Sequence, residues 1–109
     1  MPSFKHVSVS DALAMIEQPK TVVVDVRDLK SFEQGHITDA IHLDNDKLPD
    51  FLRDAEYDHP IVVCCYHGNM SQSAAQFLID QGFDDVYSLD GGFAEWSTAH
   101  PNQIATGNT

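Results

Sequence analysis

The stretch Cys64-Cys65-Tyr66-His67-Gly68-Asn69-Met70-Ser71 concentrates the residues able to do covalent chemistry. Two thiols end an apolar run that begins at Ile61, a short polar loop with one glycine follows, and a helical pattern starts at Ser71 or Gln72. In an open parallel α/β sheet, sites lie beyond the carboxyl ends of the strands. Cys65 reads as the last residue of such a strand, and its loop leads into a helix N-terminus. The first amides of a helix lack intrahelical partners, and the helix dipole adds partial positive charge. Such a place binds anions and stabilises a thiolate. Gly68 supplies the unusual backbone angles that a loop needs to curl its amides toward one point. Cys65 is therefore the candidate nucleophile. Tyr66, His67, Gly68, Asn69, Met70 and Ser71 form the candidate substrate cradle. The loop contains no Lys or Arg. Backbone dipoles must do most of the anion holding there, helped by His67 or by a cation from elsewhere.

Cysteine at the end of a buried strand can also be plain core filling. Strand alternation sends Cys64 to the face opposite Cys65, and Cys64 is assigned to the core. Adjacent cysteines lack the C-x2-C spacing of zinc sites, and His6, His36, His42, His59 and His100 are scattered, so neither a metal nor another cofactor is expected.

Asp25 and Arg27, two apart on a strand, face the same side. Buried charges must be paired or hydrogen-bonded. Asp25 reads as a structural brace; Arg27 either shares that role or points into the site. Gly35-His36-Ile37 reads as a helix stop followed by a return to the sheet, with His36 as a structural hydrogen-bonding residue.

The elements that must position these groups alternate along the chain. Ser8-Val9-Ser10-Asp11 has capping-box spacing and opens a helix through Ala12, Leu13, Met15 and Ile16, stopped by Pro19. Thr21–Val26 is a β-branched run, expected as a strand buried on both faces. Asp28 can cap a helix from Leu29 to Gln34, closed by Gly35. Ala40–Leu43 is a short strand. Asn45 or Asp46 can cap a helix to about Asp54, with Pro49 early in it. After the strand Ile61–Cys65 comes a helix ended by Gly82, a strand Asp85–Leu89, a turn at Gly91-Gly92 and a helix from Phe93 to His100. The tail 101–109 is polar and expected to fray. The alternation predicts one α/β domain over residues 1–109, core about 4–100, with a mostly parallel sheet.

The chain has 109 residues, six Lys and Arg against 17 Asp and Glu, and a formal net charge of −11. No cation follows Arg53. Phosphate contacts need Lys and Arg, so nucleic acid and anionic membrane surfaces are excluded as partners. The longest purely apolar run, Ile61–Cys65, is far below a membrane span. No apolar segment follows the N-terminal Met-Pro-Ser-Phe-Lys-His, so no signal peptide is expected. Two neighbouring cysteines without another partner read as thiols, which fits the cytoplasm.

Three motifs in order resemble the rhodanese homology domain. "VVDVRDLKSFEQGHITDAIHL" is similar to the family's first signature, with Asp-x-Arg, Gly-His-Ile and Ala-x-x-Leu. Cys65-x-x-Gly68-x-x-Ser71 matches its active loop. "VYSLDGGFAEW" is similar to its C-terminal Leu-x-Gly-Gly-x-x-x-Trp. The resemblance implies a five-stranded, mostly parallel sheet with helices on both faces. It also implies sulfur transfer: a Cys65 persulfide is formed from thiosulfate, and its sulfur passes to cyanide or to a thiol acceptor such as thioredoxin. The chain departs from the family at Met70 and Gln72, where relatives carry more polar or positive residues. Two other functions stay in view on this fold. A phosphatase or arsenate reductase needs Cys-x5-Arg, and here Ser71 takes the Arg position. A non-catalytic binding module would form no persulfide.

Overall fold

The centre of the fold is β5 (Ile61–Cys64), four residues that are all buried. A computed structural model describes residues 3–107. It places β5 between β2 (Val22–Asp25) and β6 (Val86–Leu89) in a five-stranded sheet of order β1-β6-β5-β2-β4. Each of its strand pairs is parallel. The edges are β1 (Lys5–Val7) and β4 (Ile41–His42). Val, Ile and Cys fill the central strands because branched or compact side chains pack well on a pleated surface covered from both sides.

Alternation along β5 divides the core. Val62 and Cys64 pack with Val9, Ala12, Phe32, Leu89 and Trp96, the face covered by α1 (Val9–Ile16), α2 (Leu29–Gln34) and α5 (Gly92–Ala99). Ile61 and Val63 pack with Leu43, Ala75, Leu78 and Phe83, the face covered by α3 (Leu48–Asp54) and α4 (Met70–Asp80). Cys64 is thus a core residue, as expected from its strand position. The fold is an α/β domain with helices on both faces. Among the described residues no helix is long and apolar enough to cross a membrane.

Two helix starts are capped as the sequence predicts. Ser8 accepts from the Asp11 amide at 3.1 Å, and Asp28 accepts from the Ser31 amide at 3.0 Å. Such caps replace the missing intrahelical partners of first-turn amides. Other boundaries differ. Asp44, rather than Asn45 or Asp46, makes the side-chain bond before α3, accepting from the Lys47 amide at 2.9 Å. β5 ends at Cys64, and α4 begins at Met70, one residue ahead of Ser71. The edge strand β1 was not expected; its three residues show no strand period of their own and are ordered by pairing with β6.

The expected return of His36 and Ile37 to the main sheet is corrected. They form β3 (His36–Ile37), which pairs antiparallel with β7 (Ile104–Ala105) in a separate two-stranded sheet. His36 keeps its structural role: its ring stacks on Phe32 at 3.8 Å, and its Nδ1 lies 2.6 Å from the Phe32 carbonyl. The fraying expected of the tail is also corrected for its described part. Residues 101–103 form a 3-10 turn. The Gln103 carbonyl accepts from Trp96 Nε1 and from the Thr38 amide, both at 3.1 Å, and the Gly107 amide donates to Glu33. Asn108 and Thr109 lie outside the described residues. Deleting everything after His100 is expected to cost about 2 kcal/mol through the lost indole and ladder bonds. A thermal melt checks this, and Tm should fall by roughly 10 °C; an unchanged Tm would show that the strap adds nothing.

Candidate active site

Cys65 follows β5 at the carboxyl edge of the sheet, with α4 starting five residues later. Its Sγ accepts two backbone hydrogen bonds, from the Gly68 amide at 3.2 Å and from the Ser71 amide at 3.1 Å. Asn69 occupies the N-cap position of α4 but makes no side-chain cap bond. The sulfur stands where a capping oxygen would stand, and first-turn dipoles favour its charged form. Burial pushes the Cys65 thiol up. The Ser71 side chain and the amides of Ser71, Gly68 and His67 outweigh it and hold the thiol below the ordinary cysteine value. Cys64 goes the other way: burial, with Asp25 adding to it, pushes its thiol well above that value.

Two glycine contacts hold the loop in this shape. Gly68 has φ +94°, and a Cβ there would lie 2.9 Å from the Gly91 amide nitrogen. Gly92 has φ +59°, and a Cβ there would lie 2.6 Å from the Cys65 carbonyl oxygen and 2.7 Å from the His67 nitrogen. Backbone meets backbone at both places, so no side chain fits. The first amides of α5 use the loop as their cap: Phe93 N–H donates to the Cys65 carbonyl at 2.8 Å and Ala94 N–H to the Tyr66 carbonyl at 3.1 Å. The Gly91-Gly92 turn predicted from sequence is therefore part of the site.

The other candidates divide into supports and rim. Tyr66 is half-buried; its hydroxyl donates to the Asp28 carboxylate and accepts from the Asp28 amide at 3.3 Å. The Tyr66 hydroxyl, then Ser31, hold the Asp28 carboxyl below the usual range. Ser71 is fully buried, with its hydroxyl 2.7 Å from that of Ser88. His67, Asn69 and Met70 are exposed at the crest of the loop. Sequence reasoning missed two supports: Ser88, and Gln72 as a loop brace. Gln72 Nε2 donates to the Gly68 carbonyl at 2.9 Å, a helix-start residue reaching back as capping residues do.

Arg27 is not brought into the cradle. Its guanidinium holds the Asp25 carboxylate through Nε and Nη2 and donates to the Gly35 carbonyl at 2.6 Å. Its centre lies 4.3 Å from the Phe93 ring centroid. Both charges are buried, so the pair is structural, as the fork geometry of Arg favours.

Residues 8–99 match the family model described as a rhodanese-like domain. The chain belongs to the rhodanese-like family. The thiosulfate sulfurtransferase GlpE of Pseudomonas syringae pv. syringae is 52% identical over 107 residues, which is 98% of this chain and all of the relative. The protein of that name from Pseudomonas fluorescens is 52% identical over 109 residues, covering all of this chain and 99% of its own. Among solved structures, a rhodanese-related protein from Thermoplasma volcanium superposes with a TM-score of 0.75 at 27% identity, over 89% of this chain and 94% of that one. The shared fold puts the first and last rhodanese signatures on the two sides of the Cys65 loop, at Asp25–Arg27 and at Gly91–Trp96.

The amide cradle predicts selective labelling. Iodoacetamide should modify Cys65 and spare Cys64 in the folded protein, with a rate that levels off below the ordinary thiol pKa of about 8.5. An inflection at the ordinary value, or labelling of both thiols, would contradict the geometry. Gly92→Ala should cost about 3 kcal/mol or more in denaturant unfolding and slow the labelling, because its methyl displaces the Cys65 carbonyl.

Proposed function

We propose that the protein is a thiosulfate sulfurtransferase that works through a persulfide on Cys65. The reading is carried by one observation, a sulfur that accepts the amides of Gly68 and Ser71 at a helix start while the nearby cation, Arg27, is committed elsewhere. Membership of the rhodanese-like family and the GlpE relatives support it.

In the first half-reaction the Cys65 thiolate attacks the outer sulfur of thiosulfate. The S–S bond of the donor breaks, sulfite leaves with the bonding pair, and Cys65 carries the persulfide. In the second half-reaction a nucleophile attacks the outer sulfur, and the Cys65 thiolate departs. With cyanide the product is thiocyanate. With a dithiol protein such as thioredoxin, the first thiol takes the sulfur and the second displaces it as sulfide, leaving the acceptor oxidised to a disulfide. The two half-reactions share one site, which predicts ping-pong kinetics.

The cradle suits both steps. The amides of His67, Gly68 and Ser71 converge where negative charge sits, first on the thiolate and then on the persulfide. Tyr66, His67, Asn69 and Met70 border the entrance and are proposed to contact the donor or acceptor. Ser71 stands at the position where a Cys-x5-Arg phosphatase needs its guanidinium, which speaks against that chemistry. Both cysteines are free thiols, in keeping with a cytoplasmic setting.

The test is an intact mass after thiosulfate treatment of the reduced protein. A gain of one sulfur, about 32 Da, is expected in the wild type and in Cys64→Ser, and absent in Cys65→Ser. Initial rates with thiosulfate and cyanide should give parallel double-reciprocal lines. No mass gain in the wild type would sink the thiosulfate reading and favour a binding module.

A further inference from the structure

Behind Ser71 lies a polar contact that the sulfur-transfer reading does not use. Ser88 sits on β6 with 0% exposure, and Ser71 at the start of α4 is buried to the same degree. Their hydroxyl oxygens are 2.7 Å apart, a full-strength hydrogen bond between buried groups. Apart from Ser71, the Ser88 side chain has no hydrogen-bond partner among the described residues. Strand alternation explains why it points inward. Val86 and Ser88 face one side of β6, where Val86 joins the core under α4, and Tyr87 faces the other. A serine here occupies a place that an apolar residue would fill at less desolvation cost.

The direction of the hydrogen bond follows from counting protons. Each hydroxyl has one proton to donate. If Ser71 donates to Ser88, the Ser88 proton is left in the core with nothing to receive it. If Ser88 donates to Ser71, both protons are used, provided that the Ser71 proton has an acceptor of its own. Cys65 Sγ accepts the Ser71 amide at 3.1 Å, and the Ser71 side chain is among the groups that hold the Cys65 thiol below its ordinary value. Both protons are used when Ser88 O–H donates to Ser71 and the Ser71 O–H turns to Sγ.

We propose that Ser88 is a positioning residue for Cys65, which aims the Ser71 hydroxyl proton at the sulfur and so stabilises its anionic forms, thiolate and persulfide. Buried hydrogen bonds in series polarise one another, so the second hydroxyl strengthens the first. Ser88 itself never touches the substrate. It acts across the sheet, from β6 through α4 to the residue after β5. The thiolate half of this proposal needs only a titrating Cys65 and stands apart from the identity of the sulfur donor; the persulfide half rests on the sulfurtransferase reading.

Titratable groups on the surrounding elements are His6 on β1, the register partner of Ser88 and bonded to Asp90, with Lys5 beside it, Cys64 on β5, the Asp25–Arg27 pair leading from β2, and Tyr66 and His67 in the loop, with Tyr87 on β6 and Asp90 and Glu95 around the start of α5. α4 carries none before Asp80. Exchanging Ser88 for Ala leaves every one of these in place.

The experiment is the pH dependence of Cys65 alkylation by iodoacetamide, read by intact mass in the absence of any sulfur donor. Ser88→Ala is expected to move the inflection upward by roughly half to one pH unit and to slow alkylation at neutral pH about three- to tenfold, with rates converging at high pH. Ser71→Ala should move it in the same direction. In the Ser71→Ala background, Ser88→Ala should add nothing further, because its effect passes through the Ser71 hydroxyl. The Ser88→Thr and Ser88→Val pair, equal in shape and differing in the hydroxyl, repeats the comparison if Ala at this position disturbs folding; Thr should keep the lower inflection and Val should lose it. A merely structural role would slow alkylation at all pH values alike. An unmoved inflection in Ser88→Ala, or a shift of undiminished size in the Ser71→Ala background, would overturn the proposal. If the inflection moves as expected while thiosulfate leaves no added sulfur, the positioning role stands and the donor assignment falls.

Discussion

The backbone-to-backbone contact between the Cys65 loop and the Gly91-Gly92 turn is the constraint on which the site depends. Phe93 and Ala94 tie down the carbonyls of Cys65 and Tyr66, and Gly92 allows the approach because it has no Cβ to strike the Cys65 oxygen. In a planar trans peptide the carbonyl and the following N–H point in opposite directions. Fixing the Tyr66 carbonyl on α5 therefore turns the His67 amide away from α5, toward the sulfur. One contact satisfies two of the unpaired amides of α5 and aims a loop amide at the same time. The sheet makes this possible, because β5 and β6 are parallel neighbours and the loops that follow them leave the same edge.

Charge is organised around this constraint rather than supplying it. With a net charge of −11, the chain repels anions at long range. Lys5 and Arg53 contact carboxylates at the surface, and Lys47 leans on the His42 ring. Arg27 is spent inside the fold, joining β2 to the Gly35 carbonyl at the end of α2 and lying against Phe93. The Arg27 contact with Phe93 also connects the first rhodanese signature to the start of α5, the element that holds the loop. The Asp-x-Arg pattern and the Gly-Gly turn are thus two parts of one support, separated by more than sixty positions in the chain.

What could be read from the sequence was local or periodic. The caps at Ser8 and Asp28 are formed by residues three apart, so their spacing is visible without the fold. The strands around Val23, Val62 and Val86 show as apolar runs, and Cys65 was marked by lying between such a run and a helix. The failures were long-range. β3 and β7 have two residues each, too few to show a period, and they meet across more than half of the chain. Arg27 could be placed on a face, but only the positions of Gly35 and Phe93 decide where its guanidinium goes. Ser88 looks like any strand serine until α4 is packed over it, and Gln72 until Gly68 has turned its carbonyl back.

A cradle made of peptide dipoles has a further consequence, for its selectivity. Its donors do not titrate, so with changing pH it is the Cys65 sulfur they hold, and not the amides, that changes charge. A guanidinium clamp rewards an anion for its charge and for the fit of its oxygens. Two amides at 3.1–3.2 Å from a sulfur offer less than water does to a small, firmly hydrated ion, and more than water does to a large, diffuse one. Such a surface sorts its visitors by how willingly they shed their hydration. The large, polarisable sulfur of the Cys65 thiolate is an anion of the second kind.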